Sequence, residues 1–371
     1  MRVLYGVNGE GLGHATRSEV SIGGLQASGH DVRVMASGAA FRYLGDRLGN
    51  VNEVFGPTFA MEDGEIRRWA SVTHTMTAMR RELPGSVRTW MEAVDEWAPD
   101  VVVTDFEPLS GIYARWSRTP LVCVDNIHMI DRCHHDEAIV EGAREDFRIA
   151  RAVTRAMVPT AGDYVITTFF QPPLLRGRTS LVPPIVRSAI VETTPTRGDH
   201  LVVYSGGSEE LIDVLRETGV PCRLYGMRDG PLVGTTDGAI QFCARSVDGF
   251  LEDLVTARGV VTGGGFSLLS EAVYLGKPVL SVPLRGQFEQ LMNARYLERE
   301  GFGICAPTVD PATMTAFLDG LDGYHETLEA YEQDGNREAL AEVETRVLAA
   351  GADTRRDRAR ARRQARKRAK A

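Results

Sequence analysis

Short, uninterrupted apolar runs alternate with longer amphipathic stretches along most of the chain. The first run is "RVLYGV" at 2–7, and later ones include "VVVTD" at 101–105 and "GVVTGGG" at 259–265. A strand that helices cover on both faces is apolar at nearly every position, so the pattern predicts parallel sheets in an α/β protein. The predicted strands lie at 2–7, 31–36, 100–104, 120–124, 163–168, 200–204, 221–225, 239–243, 258–262, 278–282 and 302–305.

A proline-rich stretch at 169–199 separates five of these strands from the other six. It contains two Pro-Pro pairs, which disfavour helix. A chain of 371 residues is also too long for one ordinary core. We therefore predict two doubly wound, Rossmann-like domains. The expected bounds are 1–168 for the N-terminal domain, 169–199 for the linker, 200–333 for the C-terminal domain, 334–350 for a closing helix that ends before Gly351, and 351–371 for a basic tail.

The end of the chain differs from the rest in charge. Residues 355–371 hold ten of the 42 basic and one of the 50 acidic residues, which leaves 32 basic and 49 acidic residues, a net charge of −17, elsewhere. This tail has no apolar face to bury and is expected to be disordered or only marginally helical. Two roles stay open for it: peripheral docking on an anionic membrane surface, or keeping the protein in solution. Nucleic acid is not an expected partner.

Other bulk features exclude several protein classes. No apolar stretch approaches the ~20 residues of a membrane span. The start "MRVLYGV" is expected to be a buried strand rather than a secretory leader. The five cysteines are scattered singly, which predicts neither a disulfide framework nor a zinc site. The expected location is the cytoplasm, with the inner face of the membrane as a peripheral site.

The loop "NGEGLGHATRS" at 8–18 admits two interpretations. A strand, a glycine-rich loop and a helix could bind a dinucleotide. However, His14 replaces the third glycine of that pattern, and the next predicted strand leads into Ser37 rather than an acidic ribose ligand. The sequence therefore favours a loop, with Gly11 and Gly13, that delivers His14 to an acceptor substrate.

Asp105 is the predicted partner of His14. Each residue follows a predicted parallel strand, so both are expected at the same edge of the sheet. A carboxylate that accepts from one imidazole nitrogen orients the other as a general base. The alternative is a histidine that only caps its helix.

The second half contains a predicted anion site. A strand runs into Gly263-Gly264-Gly265, where a helix is expected to begin, and helix-start amides bind phosphate without a basic side chain. Glu271 lies one turn further along the predicted helix than Ser267, a spacing that suits a carboxylate holding ribose hydroxyls. The alternative is an ordinary βαβ unit whose glycines serve tight packing.

These residues form part of a longer pattern: G-G-F-S-x-x-x-E, then G-K-P, P and x-E-Q-x-x-N-A. It resembles the donor-nucleotide motif of inverting glycosyltransferases of the B fold, which include the plant and antibiotic UDP-sugar transferases and the peptidoglycan N-acetylglucosaminyl transferase. It is also similar to a group of uncharacterised prokaryotic glycosyltransferases that share "GHATRS" and "QFEQ". The resemblance spans roughly 1–350 and implies the GT-B architecture, with two domains that face a cleft.

The resemblance implies roles for particular residues. His14 would be the catalytic base and Asp105 its assistant, Glu271 the ribose ligand, and Glu289 and Gln290 the ligands of sugar or ribose hydroxyls. Further donor-binding residues would be Gly206, Gly207, Ser208, Gly264, Gly265, Phe266 and Ser267. Plant-type members carry a phosphate-binding histidine where this chain has Gly263, so its phosphate contacts are expected to rely on backbone amides.

The expected activity is that of a hexosyltransferase type of glycosyltransferase. It would be inverting and metal-independent, with a nucleotide-sugar donor, UDP expected, and a hydroxyl acceptor, a lipid among the candidates. No cofactor is expected. Two alternatives remain: a nucleotide-sugar 2-epimerase on the same fold, and a non-catalytic sugar-nucleotide sensor.

Two clusters resemble metal sites only superficially. "TDFEP" places Asp105 and Glu107 in the spacing of a D-x-D metal motif, but that motif belongs to a different glycosyltransferase fold. "DNIHMIDRCHHDEA" at 125–138 matches no zinc spacing. It follows a predicted strand, so an acceptor-side loop that includes His128 is the favoured interpretation, with solvated histidines as the alternative.

Overall fold

The computed structural model describes residues 1–49, 51–54, 61–62, 65–66, 91, 94–158, 161–227, 230–244 and 246–368. It divides into two compact units. The first unit comprises Met1–His134, Arg148–Ile185 and Asn336–Ala371, and the second comprises His135–Phe147 and Val186–Gly335.

Both units are built from short strands that alternate with helices. The strands are β1 Arg2–Val7, β2 Asp31–Ala36, β3 Val51–Glu53, β4 Met61–Glu62, β5 Glu65–Ile66, β6 Val101–Asp105, β7 Leu121–Asp125, β8 Asp163–Thr167, β9 Thr179–Val182, β10 Leu201–Tyr204, β11 Cys222–Tyr225, β12 Thr236–Asp237, β13 Ile240–Phe242, β14 Gly259–Thr262, β15 Val279–Ser281 and β16 Gly303–Cys305. The helices are α1 Gly13–Ala27, α2 Gly38–Leu48, α3 Pro108–Ser117, α4 Met129–Arg132, α5 Glu137–Val140, α6 Arg144–Met157, α7 Ser188–Val191, α8 Glu209–Thr218, α9 Val247–Thr256, α10 Phe266–Tyr274, α11 Phe288–Arg299, α12 Pro311–Glu329 and α13 Arg337–Arg368.

Seven parallel strands form the sheet of the first unit, in the order β3-β2-β1-β6-β7-β8-β9. β4 and β5 form a separate antiparallel pair. Alternate residues of β1, namely Val3, Tyr5 and Val7, are fully buried in one core with apolar residues of α1, α2 and α13. The winding direction reverses between β1 and β6, which is where an open parallel sheet binds ligands.

The second unit contains another seven-stranded sheet, in the order β12-β13-β11-β10-β14-β15-β16. All neighbours pair in parallel except β12 and β13. Its core includes Leu201, Val203, Val261 and Leu280 from the central strands and Phe317 from α12. The prediction of two Rossmann-like α/β domains is therefore confirmed.

All eleven strands predicted from the apolar runs are present, and each of their ends lies within one residue of its predicted position. The pattern did not reveal β3, because "VNE" is short and polar, or the two-residue strands β4, β5 and β12. It also missed β9, which lies in the proline-rich stretch.

The proline-rich stretch is only partly a connection. Residues Thr179–Val182 form β9, which pairs in parallel with β8, so the first unit extends to Ile185 rather than to 168. Proline excludes helix but permits extended backbone, and the strand lies between the two Pro-Pro pairs.

The closing helix differs from the prediction at both ends and in its packing. α13 begins at Arg337, continues through Gly351 to Arg368 and belongs to the first unit. Ala339, Val343 and Val347 recur every four residues and are buried in that unit's core. A Cβ at Gly351 would lie 2.5 Å from Met1 Sδ, so this glycine serves close packing rather than helix termination. Arginine and alanine then extend the nucleated helix into the predicted tail, because both favour helix; positions 369–371 lie outside the described residues.

A second departure concerns His135–Phe147, which the sequence places in the first domain and the structure groups with the second unit. His135 Nδ1 lies 3.0 Å from the hydroxyl of Tyr296, and the ring of Phe147 packs 5.1 Å from that of Phe288. Both partners belong to α11, and such long-range packing leaves no local sequence signal. Across the described part of the chain, no helix is long and apolar enough to cross a membrane.

Candidate active site

The edge of the first sheet brings Asp105 beside the opening loop. β1 and β6 are paired so that Val7 lies opposite Asp105, and Asn8 N donates to the Asp105 carbonyl at 3.2 Å. The next residue, Phe106, has a φ of +54°, which is uncommon for a residue with a side chain. Asn8 Nδ2 donates to the Phe106 carbonyl at 3.0 Å, so the loop supports this strained turn.

Three side chains of α1 converge on the carboxylate of Asp105. His14 Nδ1 lies 2.8 Å from Oδ1. Arg17 donates from Nε to Oδ2 at 3.1 Å and from Nη2 to Oδ1 at 2.6 Å, and Ser18 Oγ donates to Oδ2 at 3.0 Å. The spacing i, i+3, i+4 places all three on one face of the helix. The predicted meeting of His14 and Asp105 is therefore present.

Burial and charge act against each other at Asp105. The residue is fully buried, which disfavours its charged form, but the Arg17 guanidinium and His14 outweigh that cost. Together they hold the pKa of Asp105 below its usual range. His14 keeps 16% of its side chain exposed, so the carboxylate is sealed from solvent while the imidazole is accessible.

The glycines of the opening loop serve its backbone. A Cβ at Gly9 would lie 2.4 Å from the Ser37 carbonyl oxygen, so Gly9 lets the turns after β1 and β2 touch. Gly11 has a φ of +71° and open space around its Cβ position, and Gly13 is the first residue of α1. Gly11 and Gly13 thus lie beside His14, and their acceptor-side role stays a prediction.

His128 is more deeply buried than expected for a residue of an acceptor-side loop. It is 2% exposed, and its N and Nδ1 lie 2.9 and 2.7 Å from the two carboxylate oxygens of Asp125. The rings of Tyr164 and Phe106 pack 4.9 and 5.8 Å from its own. Nε2 has no hydrogen-bond partner among the described residues. His128 is therefore too buried to contact an acceptor in this structure, which does not support its predicted place on an acceptor-side loop.

The "TDFEP" carboxylates are not paired as a metal site. Glu107 caps α3 instead, and its two oxygens accept from Leu109 N at 2.9 Å and Ser110 N at 2.7 Å. Among the described residues, one group has ligand atoms close enough for an ion: Cys123, Asp125 and His128. Both carboxylate oxygens of that group already accept from His128.

In the second unit, the turn between β14 and α10 is held by α11. Gly264 has a φ of +101°, and a Cβ there would lie 2.8 Å from the Gln290 carbonyl oxygen. Asn293 Nδ2 donates to the Gly264 carbonyl at 3.3 Å. Gly265 is exposed, with nothing within 4 Å of its Cβ position, so space lies directly before the first turn of α10.

Glu271 is already engaged by a residue that the sequence did not single out. Arg187 donates from Nε to Oε1 and from Nη2 to Oε2, both at 2.6 Å. Burial raises the pKa of Glu271, and Arg187 opposes that rise. The predicted ribose ligand is thus a buried carboxylate with a fixed cation.

The remaining predicted donor residues surround the same helix starts. Gln290 Oε1 accepts from Leu284 N at 3.0 Å, and Glu289 lies half-buried in the first turn of α11. Phe266 and Ser267 open α10, with Phe266 buried and Ser267 half-buried. Gln290 Oε1 also lies 3.2 Å from the position that a Cβ would take at Gly263.

The loop after β10 forms a second helix start. Ser208 caps α8 by accepting from Leu211 N at 3.3 Å. Gly207 has a φ of +70° and a Cβ position 2.9 Å from Met227 Cγ, whereas Gly206 has nothing within 4 Å. The structure therefore places Gly206 in open space beside a helix N-terminus.

Four residues of these sites were missed from the sequence: Arg17, Ser18, Arg187 and Asn293. A signal existed for the first two, because "GHATRS" puts them one helical turn after His14. Asn293 stands in the motif x-E-Q-x-x-N-A, one turn after Gln290, but nothing local shows that it binds Gly264. Arg187 is 84 residues from Glu271 and carries no local signal.

Comparisons with known proteins agree with this architecture. A family model described as Glycosyl transferase family 1 matches residues 1–322. An uncharacterized glycosyltransferase of Methanosarcina acetivorans is 23% identical over 328 residues, 82% of this chain and 85% of the relative. The structure of the glycotransferase of kitacinnamycin matches with a TM-score of 0.63 at 16% identity, over 95% of this chain and 98% of its own. UGT2 of Phytolacca americana, complexed with UDP-2fluoro-glucose and pterostilbene, matches with a TM-score of 0.62 at 13% identity, over 95% and 99%.

The family match covers most of both units, and the solved structures share the fold over nearly the whole chain. The chain therefore belongs to Glycosyl transferase family 1 and is a glycosyltransferase of the GT-B fold.

Proposed function

We propose that this glycosyltransferase moves a sugar from a nucleotide diphosphate, with UDP as the leading nucleotide, to a hydroxyl acceptor. The transfer inverts the configuration at the anomeric carbon of the sugar, and it needs no metal ion. The observation that carries the proposal is the contact between His14 Nδ1 and the buried Asp105 carboxylate. With Nδ1 engaged, Nε2 is the nitrogen left to accept a proton from a hydroxyl.

His14 and Asp105 are sufficient for the proton transfer in this reaction. His14 Nε2 takes the proton of the acceptor hydroxyl while the hydroxyl oxygen bonds to the anomeric carbon. The bond from that carbon to the phosphate oxygen breaks, and its electron pair leaves with the nucleoside diphosphate. Asp105 keeps the ring oriented and balances the imidazolium charge as it forms. Attack opposite the leaving group inverts the anomeric centre.

The second unit supplies the donor site in this proposal. The departing diphosphate lies at the turn Gly263–Gly265, where the amides and dipole of α10 stabilise negative charge without a cation. The open space at Gly265 supports this assignment. Glu271 holds ribose hydroxyls, and Glu289 and Gln290 hold sugar hydroxyls. UDP-2fluoro-glucose in the Phytolacca americana structure supports UDP as the nucleotide.

The acceptor in this proposal is a lipid hydroxyl, and the end of α13 docks the protein on an anionic membrane surface. The backbone of α13 is helical through Arg368, and its part from 355 to 368 holds nine basic residues and one acidic residue. Basic residues near an anionic surface contribute about 1 kcal/mol each. Sedimentation with phosphatidylglycerol vesicles should recover the full chain but not a chain ending at 352, and neutral vesicles should recover neither.

Release of UDP from several UDP-sugars, with lipid extracts as acceptors, tests the activity. His14→Gln should lower kcat by roughly 10²- to 10⁴-fold, the usual contribution of a general base. UDP binding by calorimetry should stay unchanged, because the donor site lies in the other unit. The exposed His134→Gln is the matched control. Unchanged turnover in His14→Gln would remove His14 from the chemistry.

The same assay separates the alternatives. A 2-epimerase would convert the sugar without acceptor and without release of UDP. A sensor would bind UDP-sugar and show no turnover with any acceptor.

A further inference from the structure

Arg17 contacts both members of the His14–Asp105 pair. Its Nη2 lies 2.6 Å from Asp105 Oδ1 and 3.2 Å from His14 Nδ1, and the side chain is almost completely buried. We propose that Arg17 is a positioning residue that sets the pH range of transfer by sharing the negative charge of Asp105 with His14. The proposal rests on the proposed function in one respect, that His14 acts as the base.

The first step of the argument is geometric. Nε and Nη2 of one guanidinium engage the two oxygens of one carboxylate. A planar, two-point contact of this kind fixes the carboxylate plane as well as its position. Oδ1 is thereby aimed at His14 Nδ1, and the imidazole is held in one orientation.

The second step is electrostatic. A buried carboxylate with no other counter-charge strongly favours the imidazolium form of its histidine partner, and an imidazolium cannot accept a proton. Arg17 offsets part of the negative charge of Asp105 and places a positive charge beside the ring. His14 therefore meets less net negative charge than Asp105 alone would present.

The groups that face this cluster from neighbouring strands do not cancel the effect. Tyr5 of β1 is buried, and burial raises its pKa, so it is uncharged. Asp125 of β7 is near enough to attract Arg17, which stabilises the guanidinium in place. Ser18 adds a neutral hydrogen bond to Oδ2, the oxygen that Arg17 Nε also contacts.

Ser18 provides the matched control, because it shares the carboxylate with Arg17 but carries no charge. In Arg17→Met, the acidic limb of kcat/KM should move about one pH unit upward, so that activity on that limb falls about tenfold at a fixed pH. Activity should recover at higher pH. Arg17→Lys should return the acidic limb to its wild-type pH. Ser18→Ala should lower kcat/KM without shifting the pH of the acidic limb. A limb that stays in place in Arg17→Met would make Arg17 a structural residue and overturn the proposal.

A substrate-free readout separates this proposal from the proposed function. Diethyl pyrocarbonate acylates neutral imidazole, and mass spectrometry of the peptide with His14 reports the rate. At pH 6.5, Arg17→Met should slow the acylation of His14, and Asp105→Asn should accelerate it because only the positive Arg17 remains. Equal rates in the three proteins would overturn the proposal. The expected rates without sugar transfer by wild type would sustain Arg17's role and refute the proposed function.

If Arg17→Met does not fold, Arg17→Gln takes its place, because it keeps an amide donor but no charge and should also slow the acylation of His14. A rate equal to that of wild type in a folded Arg17→Gln protein would then overturn the proposal.

Discussion

Arg187 and Glu271 form a buried, two-point ion pair in the second unit, with both N–O distances at 2.6 Å. Glu271 is the residue expected to hold the ribose of the donor nucleotide. Arg187 fixes the position of its carboxylate without help from a bound nucleotide. Burial alone would favour the protonated carboxyl, and a protonated carboxyl loses one acceptor for ribose hydroxyls. Arg187 thus fixes the orientation of the Glu271 carboxylate and opposes its protonation.

Replacing Arg187 should make donor binding depend on pH. In Arg187→Met the pKa of Glu271 should rise further, because burial is then unopposed, so a larger fraction of the carboxyl is protonated at a given pH. UDP affinity, measured by calorimetry, should fall about tenfold at pH 6.5, the equivalent of one hydrogen bond. It should then recover as pH rises and Glu271 ionises. Arg187→Lys should retain part of the wild-type affinity.

Arg216→Met is the matched control, because it removes an arginine that is also ion-paired, with Asp213 and Asp237, but lies exposed on the same unit. Surface pairs of this kind contribute little. UDP affinity equal to wild type in Arg187→Met at every pH would show that Glu271 does not bind ribose or does not need Arg187.

Two adjacent glycines of the turn between β14 and α10 should respond differently to alanine. Gly264 has a φ of +101° and no room for a Cβ, whereas Gly265 has a φ of −63° and open space. Gly264→Ala should lower the free energy of unfolding by roughly 1–3 kcal/mol and weaken UDP binding. Gly265→Ala should change stability by only a few tenths of a kcal/mol. Urea unfolding measures the stability of the two variants, and calorimetry measures their UDP binding. Equal stability of Gly264→Ala and Gly265→Ala would show that Gly264 is not needed to relieve strain in this turn.

Much of the fold could be predicted because it depends on local patterns. Continuous apolar runs locate the strands of two parallel sheets, and strand ends of such sheets share an edge, which is why His14 and Asp105 were expected together. Residues that meet through long-range packing left no such signal. Arg187 reaches Glu271 from a proline-rich segment, and the buried face of α13 fits a core that its own sequence does not identify.

The sequence predicted the wrong C-terminal end for α13. Gly351 ordinarily signals a helix stop, but here it makes room for Met1 Sδ. The sequence of the tail has no apolar face, yet its arginines and alanines continue a helix that the core has already nucleated.

Glu107 should make the protein less stable as pH rises toward neutrality. Burial raises its pKa to about 7, from an ordinary value of 4.5, so the native state binds more protons than the unfolded state between these values. Its contribution to the free energy of unfolding should therefore fall as pH rises from 4.5 to 7, by at most about 1.4 kcal/mol per pH unit. Glu107→Gln should flatten urea-derived stability over this window. An equal slope in both proteins would show that Glu107 stays ionised while it caps α3.

Lys277 should produce the opposite trend at alkaline pH. It is buried, its Nζ donates to the carbonyls of Thr196 and Ala257, and burial with nearby Arg197 lowers its pKa to about 8. The native state therefore binds fewer protons than the unfolded state between pH 8 and 10.5, and its contribution to stability should grow as pH rises through this window.

In Lys277→Met that growth should disappear, which urea unfolding at several pH values from 7.5 to 10.5 would detect as a smaller slope than in wild type. Lys277→Arg is the control that keeps a charged donor, since arginine does not titrate in this range, and it should lose the slope as well. A wild-type slope in Lys277→Met would mean that other groups cause the pH dependence. If instead the slope is absent from both variants, the titrating group is the buried Lys277 ammonium, which joins Thr196 of the proline-rich segment to Ala257 at the end of α9.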